Sequence, residues 1–446
     1  MIVLVVLGVL LVLALLTLVH WYLWRRLVRD VSAPGGRWRR TGTVLAFVLP
    51  LLSVGALIGG RAFPIAVERW FAWPGYLWLA VLLYLLLALA VGEVVRPLLL
   101  RLPAGRRAPV PVPGAVAVPE APAPVESASV ESAPADAAPA DAAPAESEFE
   151  SEFESEAAPA ESAPAAAPTA PSPERRLFVA RAVAIGASGA AAAVVGTGMY
   201  GVLRGPRLKQ VTVPLAKLPA GADGYRIAVV SDIHLGPILG RAHTQRIVDT
   251  INAAKPDLIT IVGDLVDGTV PELGRDAEPL AQLRARDGAY FVTGNHEYFS
   301  GAAPWVDFVR ELGVHPLQNA RVELGGFDLA GVNDIAGERE GDGPDFGRAL
   351  GDRDPARTAV LLSHQPVTIH DAVRHGVDLQ LSGHTHGGQL WPGNYIAELA
   401  NPTVAGLERY GDTQLYVTRG AGAWGPPVRV GAPSDITIVT LASLRV

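Results

Sequence analysis

The stretch LQLSGHTHGGQLWPG, residues Leu379–Gly393, places two of the chain's ten histidines one residue apart, directly after an apolar run. Short apolar runs rich in β-branched residues recur after Gly205, and runs of this kind predict strands. Eight of them are predicted as strands: YRIAVV, DLITIV, AYFVTG, FDLAGV, TAVLLS, DLQLSG, QLYVTR and DITIVTL. Between them, Arg241 to Ala254, Pro304 to Leu312 and Pro366 to His375 have helical spacing or helix starts. The second half of the chain is therefore predicted to be an α/β domain.

Polar side chains follow five of the predicted strands at the point where each strand ends. They are Asp232, His234, Asp264, Asp267, Asn295, His296, Glu297, His364, His384 and His386. Open α/β sheets place their ligand sites at the carboxyl ends of strands. Carboxylate and amide oxygens together with imidazoles, in a chain without cysteine, suit Mn, Fe, Zn or Mg. Glycine before Asp264, Asn295 and His384 allows the tight turns that a metal or phosphate site needs.

Five motifs in fixed order carry a family resemblance: D-x-H, G-D-x-x-D, G-N-H-E, S-H-x-P and G-H-T-H-G-G-Q. Together they resemble the calcineurin-like metallophosphoesterases. GHTHGGQ and the later TRGAGAWGPPVR are similar to the membrane-anchored bacterial YkuE-like branch of that family. The resemblance covers about Tyr225 to Val446. It departs at GAPSD, where an acidic residue is displaced, and this affects only peripheral packing.

The resemblance implies an α/β metallophosphatase sandwich, in which two mixed β-sheets flanked by helices carry two divalent metal ions. One metal would be held by Asp232, His234, Asp264 and His386. The second would be held by Asp264, Asn295, His364 and His384, with Asp264 as the bridge. A hydroxide shared by two ions about 3.5 to 4 Å apart would attack the phosphoester in line. His296 would protonate the leaving group as general acid.

Several residues near these motifs have two readings. Asp267 either fixes its own loop or hydrogen-bonds to a metal ligand, and Glu297 is expected to support a ligand rather than to be one. Arg419 and Arg429 either contact a substrate phosphate or pair at the surface. Trp391 and Trp424 each stand near proline and glycine. Each is expected either to form a rim over the site or to pack in the core.

The remainder of the chain predicts a membrane protein. Apolar runs at Met1 to Trp24, Thr41 to Gly60, Gly75 to Val95 and Ala182 to Leu203 are long enough to cross a bilayer. The first is expected to be retained, since it lacks a basic n-region and a cleavage site. The predicted domains are a membrane region at 1–102, a disordered Ala/Pro/Glu/Ser-rich linker at 103–176, a fourth span at 177–204 and the phosphoesterase domain at 205–446.

Arginines indicate the orientation of the spans. The loop after the first span is rich in arginine, whereas the loop after the second carries only Arg61 and Arg69 beside Glu68. The first loop is therefore predicted to be cytoplasmic, which sends the fourth span outward and the domain to the extracytoplasmic face. ERRLFVA before that span also resembles a twin-arginine export motif.

These features predict a membrane-anchored phosphoesterase with a lipid or cell-envelope substrate. The net charge of -7 comes mostly from the acidic linker, so no nucleic-acid partner is expected. A non-catalytic module on the same fold would be expected to have lost ligands. A transport role would need intramembrane charges beyond Glu93, which lies near a helix end. Metal identity, monoester or diester preference and oligomeric state are left open.

Overall fold

The computed structural model describes residues 2–101 and 172–444. Four helices in these ranges are long and apolar enough to cross a membrane. They are α1 (Ile2–Trp24), α2 (Arg37–Ala62), α3 (Ile65–Arg101) and α4 (Pro173–Leu203). Each contains one of the predicted spans almost entirely. Residues 103–171 of the predicted linker lie outside the described residues, and α4 already begins at Pro173.

Twelve strands in the described part of the chain form two six-stranded mixed sheets. The first sheet has the order β1 (Arg207–Leu215), β12 (Asp435–Ser443), β2 (Arg226–Val230), β3 (Leu258–Val262), β4 (Ala289–Val292) and β5 (His315–Pro316). The second has the order β10 (Gly406–Tyr410), β11 (Thr413–Val417), β9 (Leu379–Ser382), β8 (Thr358–Leu362), β7 (Phe327–Gly331) and β6 (Ala320–Leu324). The pairs β2–β3, β3–β4, β7–β8 and β8–β9 are parallel, so their carboxyl ends share an edge.

Helices cover the outer faces of both sheets. They are α5 (Arg241–Ala254), α6 (Val270–Ala277), α7 (Asn295–Ser300), α8 (Ala302–Glu311), α9 (Phe346–Leu350), α10 (Ile369–Arg374) and α11 (Gly393–Ala400). In β2, Ile227 and Val229 face the other sheet, whereas Ala228 and Val230 face the helices. Because both faces are buried, these strands are continuous apolar runs in the sequence. The predicted α/β sandwich of two mixed sheets flanked by helices is confirmed.

The membrane helices and the sandwich belong to one compact unit, formed by residues up to Leu100 and from Pro173 onward. Ile65, at the start of α3, joins the hydrophobic core between the first sheet and its helices. Val202, at the end of α4, packs with Leu239 and Ala423 of the sandwich. The Tyr84 hydroxyl, farther along α3, donates a hydrogen bond of 2.9 Å to the carbonyl of Trp391. The sandwich therefore packs directly on the long apolar helices α3 and α4.

Candidate metal centre

The carboxyl ends of β2, β3, β4, β8 and β9 bring all seven predicted metal ligands to one edge of the sandwich. The polypeptide is strained there, because five of the seven adopt left-handed backbone conformations that non-glycine residues rarely occupy. They are Asp232 (φ 51°), His234 (φ 48°), Asp264 (φ 52°), His384 (φ 71°) and His386 (φ 53°). Strain of this kind persists only where surrounding structure enforces it, and it is common at functional sites.

Glycine is required where the loops approach these side chains. A Cβ atom on Gly294 would lie 2.6 Å from the amide nitrogen of Asp264 and closer still to its carboxylate. Gly420 has a φ of +82°, and a Cβ there would lie 2.6 Å from the Cβ of Asp232. The two carboxylates are thus enclosed by backbone that no larger residue could replace.

One group of potential ligands consists of Asp232, His234 and His386, all buried. The Nε2 atoms of His234 and His386 lie 3.0 Å apart, and His386 Nε2 is 3.3 Å from Asp232 Oδ1. The Asp232 carboxylate also accepts hydrogen bonds from the amide of His384. Burial raises the pKa of Asp232, because the charged carboxylate loses its hydration. A positive ion in this group would offset that cost.

A second group consists of Asp264, His364 and His384. The Nδ1 atom of His364 lies 2.8 Å from the carbonyl oxygen of Val262, which can only accept a hydrogen bond. Nε2 faces Asp264 Oδ2 at 3.0 Å. Burial opposes charging of His364, but Asp264 raises the pKa of its ring well above the usual value, so Nε2 holds a proton that a bound ion would displace. Oδ1 of Asn295 is buried and has no hydrogen-bond partner among the described residues. A buried acceptor without a donor is costly, and a cation would satisfy it.

The carboxylate of Asp264 lies between the two groups. Its Oδ2 is 3.0 Å from Nε2 of His364 in the second group and 3.9 Å from Nε2 of His234 in the first. Its Oδ1 accepts a 2.9 Å hydrogen bond from the amide of His296. Burial alone would raise the pKa of Asp264, but His364 holds it well below its usual value. The group is therefore ionised and faces histidines on both sides.

Asp267 was predicted either to fix its own loop or to hydrogen-bond to a metal ligand. The structure favours the second role, because Asp267 contacts two histidines of the site. Its Oδ1 lies 2.9 Å from Nδ1 of His234 and 2.7 Å from Nδ1 of His296. Burial opposes the charging of Asp267 and of His296. Contacts with His234 and His296 nevertheless lower the pKa of Asp267 to about 2, and Asp267 raises the pKa of His296 to about 9. Because a carboxylate only accepts, His234 carries its proton on Nδ1 and presents the Nε2 lone pair to the site.

Glu297 supports the site through backbone amides. Its carboxylate accepts hydrogen bonds of 3.0, 2.8 and 2.6 Å from the amides of Asp264, Leu265 and Gly294. The side chain is fully buried beneath the turn that carries Asp264. It therefore fixes the loops after β3 and β4 relative to each other and is not directed at either ligand group.

The position of Arg429 matches neither of the predicted roles, which were contact with a substrate phosphate and pairing at the surface. It is only 5% exposed, and its guanidinium donates to the carbonyls of Gly422, His386 and Ala432. Its Nη2 also lies 3.1 Å from Nδ1 of His386, which must accept, so Nε2 of that ring carries the hydrogen. Metal binding through Nε2 of His386 would require this proton to leave. No sequence motif identifies this contact. Arg419 lies 3.8 Å from Asp435, a pairing at the edge of the site.

A cavity of about 390 Å³ opens beside the site. Trp424 lies at its rim, 56% exposed, with its ring centroid 5.8 Å from that of His296. Trp391 is 48% exposed and does not line the cavity. The long apolar helices α2 and α3 form another wall of the cavity, through Leu57, Tyr76 and Leu79.

The donor set fits divalent metal ions. His234 presents its Nε2 lone pair, the Asn295 oxygen lacks a donor among the described residues, and buried carboxylates face both groups. Imidazole, amide and carboxylate without sulfur are the ligands preferred by Zn, Fe, Mn and Mg. The arrangement can therefore bind dications and present a phosphoester to them.

Comparison with known proteins gives the family. Residues 225–388 match the calcineurin-like phosphoesterase family. An uncharacterized metallophosphoesterase of Aquifex aeolicus is 36% identical, covering 53% of this chain and 91% of its own. The uncharacterized metallophosphoesterase YkuE of Bacillus subtilis is 30% identical, covering 57% and 93%.

A transmembrane protein with a metallophosphoesterase domain from Danio rerio is 38% identical over 55% of this chain. The match covers 59% of the zebrafish protein, so this chain spans less than two thirds of that relative. The two bacterial relatives are matched over nearly their whole length. The chain therefore belongs to the calcineurin-like metallophosphoesterase family.

Proposed function

We propose that the protein is a multi-pass membrane phosphoesterase with a dinuclear metal centre, acting on a lipid-linked phosphoester. One observation carries the dinuclear assignment: Asp264 Oδ2 faces a histidine of each ligand group, at 3.0 Å from His364 and 3.9 Å from His234. A single carboxylate between two sets of nitrogen ligands suits a bridge between two ions.

The ligand sets are those that the family resemblance implies. Asp232, His234, Asp264 and His386 would hold one ion, and Asp264, Asn295, His364 and His384 the other. Bound dications lower the pKa of a coordinated water and neutralise charge on phosphoryl oxygens. Asp267 orients His234 through Nδ1, and Val262 orients His364 in the same way. These contacts aim both Nε2 atoms at the site before any ion arrives.

His296 is proposed as the general acid. Asp267 raises its pKa to about 9 against the effect of burial, so the ring is protonated at neutral pH. Its Nδ1 is held by Asp267 at 2.7 Å, which leaves the Nε2 proton free to move to a leaving-group oxygen. The ring lines the cavity beside the ligand groups, where a leaving group would lie.

A lipid-linked substrate is favoured by the composition of the cavity wall. Leu57, Tyr76 and Leu79 of the membrane helices line the same cavity as His296. Phe299 and Trp424 add exposed aromatic surface at the rim. A phosphoester carried by a lipid could place its phosphate at the ligand groups and its apolar part against the membrane helices.

The ends of the helices support the proposed topology. Arg26 pairs with Glu93 at 2.8 Å, and Arg181 donates to the carbonyl of Val31, so the basic segments gather at one end of the helix group. Contacts with the sandwich are made at the opposite ends through Ile65 and Val202, and about halfway along α3 through Tyr84. With the basic end in the cytoplasm, the catalytic domain lies outside.

The test uses the full-length protein in detergent, depleted of metal by a chelator. Hydrolysis of monoester and diester reporter substrates is measured before and after adding Mn, Fe, Zn or Mg, with bound metal quantified by mass spectrometry. We expect hydrolysis to disappear on chelation and return with two equivalents of a dication. Hydrolysis that survives metal removal, or a fully loaded protein that cleaves neither reporter, would contradict the proposal.

A further inference from the structure

The cavity beside the site contains a carboxylate that the proposed chemistry does not use. Glu68, in the first turn of α3, lines this cavity together with Asp267 and His296. Its side chain is buried, with the residue only 3% exposed. Its methylene group packs against α2, where a Cβ on Gly59 would lie 3.2 Å from the Glu68 Cγ.

Glu68 has no hydrogen bond or ion pair from its side chain within residues 2–101 and 172–444. A buried carboxylate without a partner is costly, and ionisable residues in membrane helices usually mark a functional site. The neighbouring Arg69 does not supply the missing charge, since it extends to Asp276 at 3.8 Å. The fold thus holds an unmatched acceptor in the wall of the catalytic cavity.

The other two carboxylates that line this cavity, Asp267 and Glu272, are already engaged. Asp267 is shared between His234 and His296. Glu272 accepts from the hydroxyl of Thr269 at 2.8 Å and from the amide of Ile65 at 3.3 Å. Asp267 and Glu272 add negative potential around Glu68 but donate no hydrogen bond to it. Because of this potential, a positively charged partner for Glu68 is favoured over a neutral donor.

Aromatic rings complete the surroundings of Glu68 in the cavity. Tyr76, about two turns farther along α3, also lines the cavity. Its hydroxyl donates a hydrogen bond of 2.8 Å to the carbonyl of Ala56. Its ring therefore offers a face rather than a hydrogen bond. Phe299 and Trp424 line the same cavity. A carboxylate among aromatic rings is the combination that binds organic ammonium groups.

We propose that this part of the cavity is an ammonium subsite, and that the substrate is a phosphoester carrying an amine close to its phosphate. The phosphate would lie at the metal ligands and His296, and the ammonium group would pair with Glu68. This inference rests on the proposed function, because it assigns the substrate class of the same site. It makes an aminoalkyl phosphoester of a membrane lipid the preferred substrate over a neutral glycerol ester.

The test compares two phosphonates of nearly equal shape, 2-aminoethylphosphonate and propylphosphonate, which cannot be hydrolysed at phosphorus. Their dissociation constants are measured by titration calorimetry on the full-length, Mn-loaded protein in detergent. We expect the amine to bind about tenfold more tightly, as one charge-assisted contact would give. In Glu68→Gln the ratio should fall to about one, and Glu68→Asp should keep part of it.

Glu93→Gln is the matched control, because it removes a carboxylate of α3 that pairs with Arg26 outside the cavity. It should keep the preference for the amine. Equal affinities in the unaltered protein, or a preference that survives in Glu68→Gln, would overturn the inference. Reporter hydrolysis is measured separately on the same preparations, so a metal-dependent enzyme with no amine preference refutes the subsite alone.

Discussion

The two walls of the cavity beside the metal centre differ in whether their carboxylates have hydrogen-bond or ion-pair partners. On the sandwich wall, Asp267 contacts two histidines. Behind that wall, Asp264 and Glu297 accept hydrogen bonds from backbone amides that fix the loops. On the membrane-helix wall, Leu57 and Leu79 are apolar and the carboxylate of Glu68 has no hydrogen bond or ion pair within the described ranges. We propose that the first wall holds ions and carries the chemistry, and that the second receives part of the substrate.

In the proposed function, the family fold and the substrate-binding surface lie on opposite sides of one cavity. The motifs that define the family supply only the sandwich wall. Residues of α2 and α3, outside the matched range 225–388, supply the other. Changes to the first wall should abolish the reaction, and changes to the second should alter which substrate is used.

The largest effect is expected for Asp264→Asn. Removing the shared charge should weaken both ion sites, so bound metal and activity should fall together, by at least about 10³ in kcat/KM. Metal content by mass spectrometry and reporter hydrolysis are measured in parallel. Asp352→Asn, at a remote carboxylate with a side chain 83% exposed, serves as control. Full metal content in the Asp264 variant would refute the bridging role.

His296→Ala should keep bound metal but lose rate. Loss of a general acid costs about 10² to 10⁴, and the loss should be greatest for esters with poor leaving groups, which need the proton. The slope of rate against leaving-group pKa should steepen in the variant. His315→Ala, an exposed histidine away from the site, should match the unaltered protein. A uniform loss for all leaving groups would argue against proton donation.

Asp267→Asn should shift the pH dependence of the rate. Asp267 raises the pKa of His296 to about 9, and the acid must be protonated, so activity is lost as pH rises through the His296 pKa. Without the carboxylate that pKa falls, and the alkaline limb should move to lower pH. An unmoved alkaline limb in full pH–rate profiles would separate Asp267 from the protonation of His296.

A smaller effect is expected on the membrane-helix wall. Leu79→Ala removes apolar surface, and each buried methylene contributes about 0.8 kcal/mol, or about fourfold in affinity. The ratio of kcat/KM for a long-chain phosphoester to that for a short-chain one should fall by several-fold. The two esters are assayed in the same mixed micelles. A constant ratio would mean that the chain does not lie against α3.

The strand-end ligands could be predicted from sequence because each follows a strand that is buried on both faces. Val262 ends one such run and Asp264 follows it two residues later. Four strands were not predicted, β1, β5, β6 and β10. β5 has only two residues, β6 and β10 lack fully buried positions, and β1 carries charged and exposed residues at its start. Their pairing depends on neighbouring strands more than on their own apolar pattern.

The membrane-helix wall was not predictable in the same way. Glu68 lies about 200 positions before Asp267 in the chain, and no local pattern relates the two. In the sequence it stands beside arginines in what was interpreted as an extracytoplasmic loop, whereas it lies within α3. Arg429 likewise shows its contact with His386 only once the loops are folded. Both depend on tertiary packing between distant segments.

The central claim is that Asp264 joins two metal ions, and anomalous diffraction tests it most directly. Crystals of the full-length protein grown with Mn would be measured at the manganese absorption edge. We predict two anomalous peaks on either side of the Asp264 carboxylate, roughly 3.5 to 4 Å apart, as in two-metal sites. One should lie near His234 and the other near His364. A single peak, or peaks that do not flank Asp264, would contradict the dinuclear assignment.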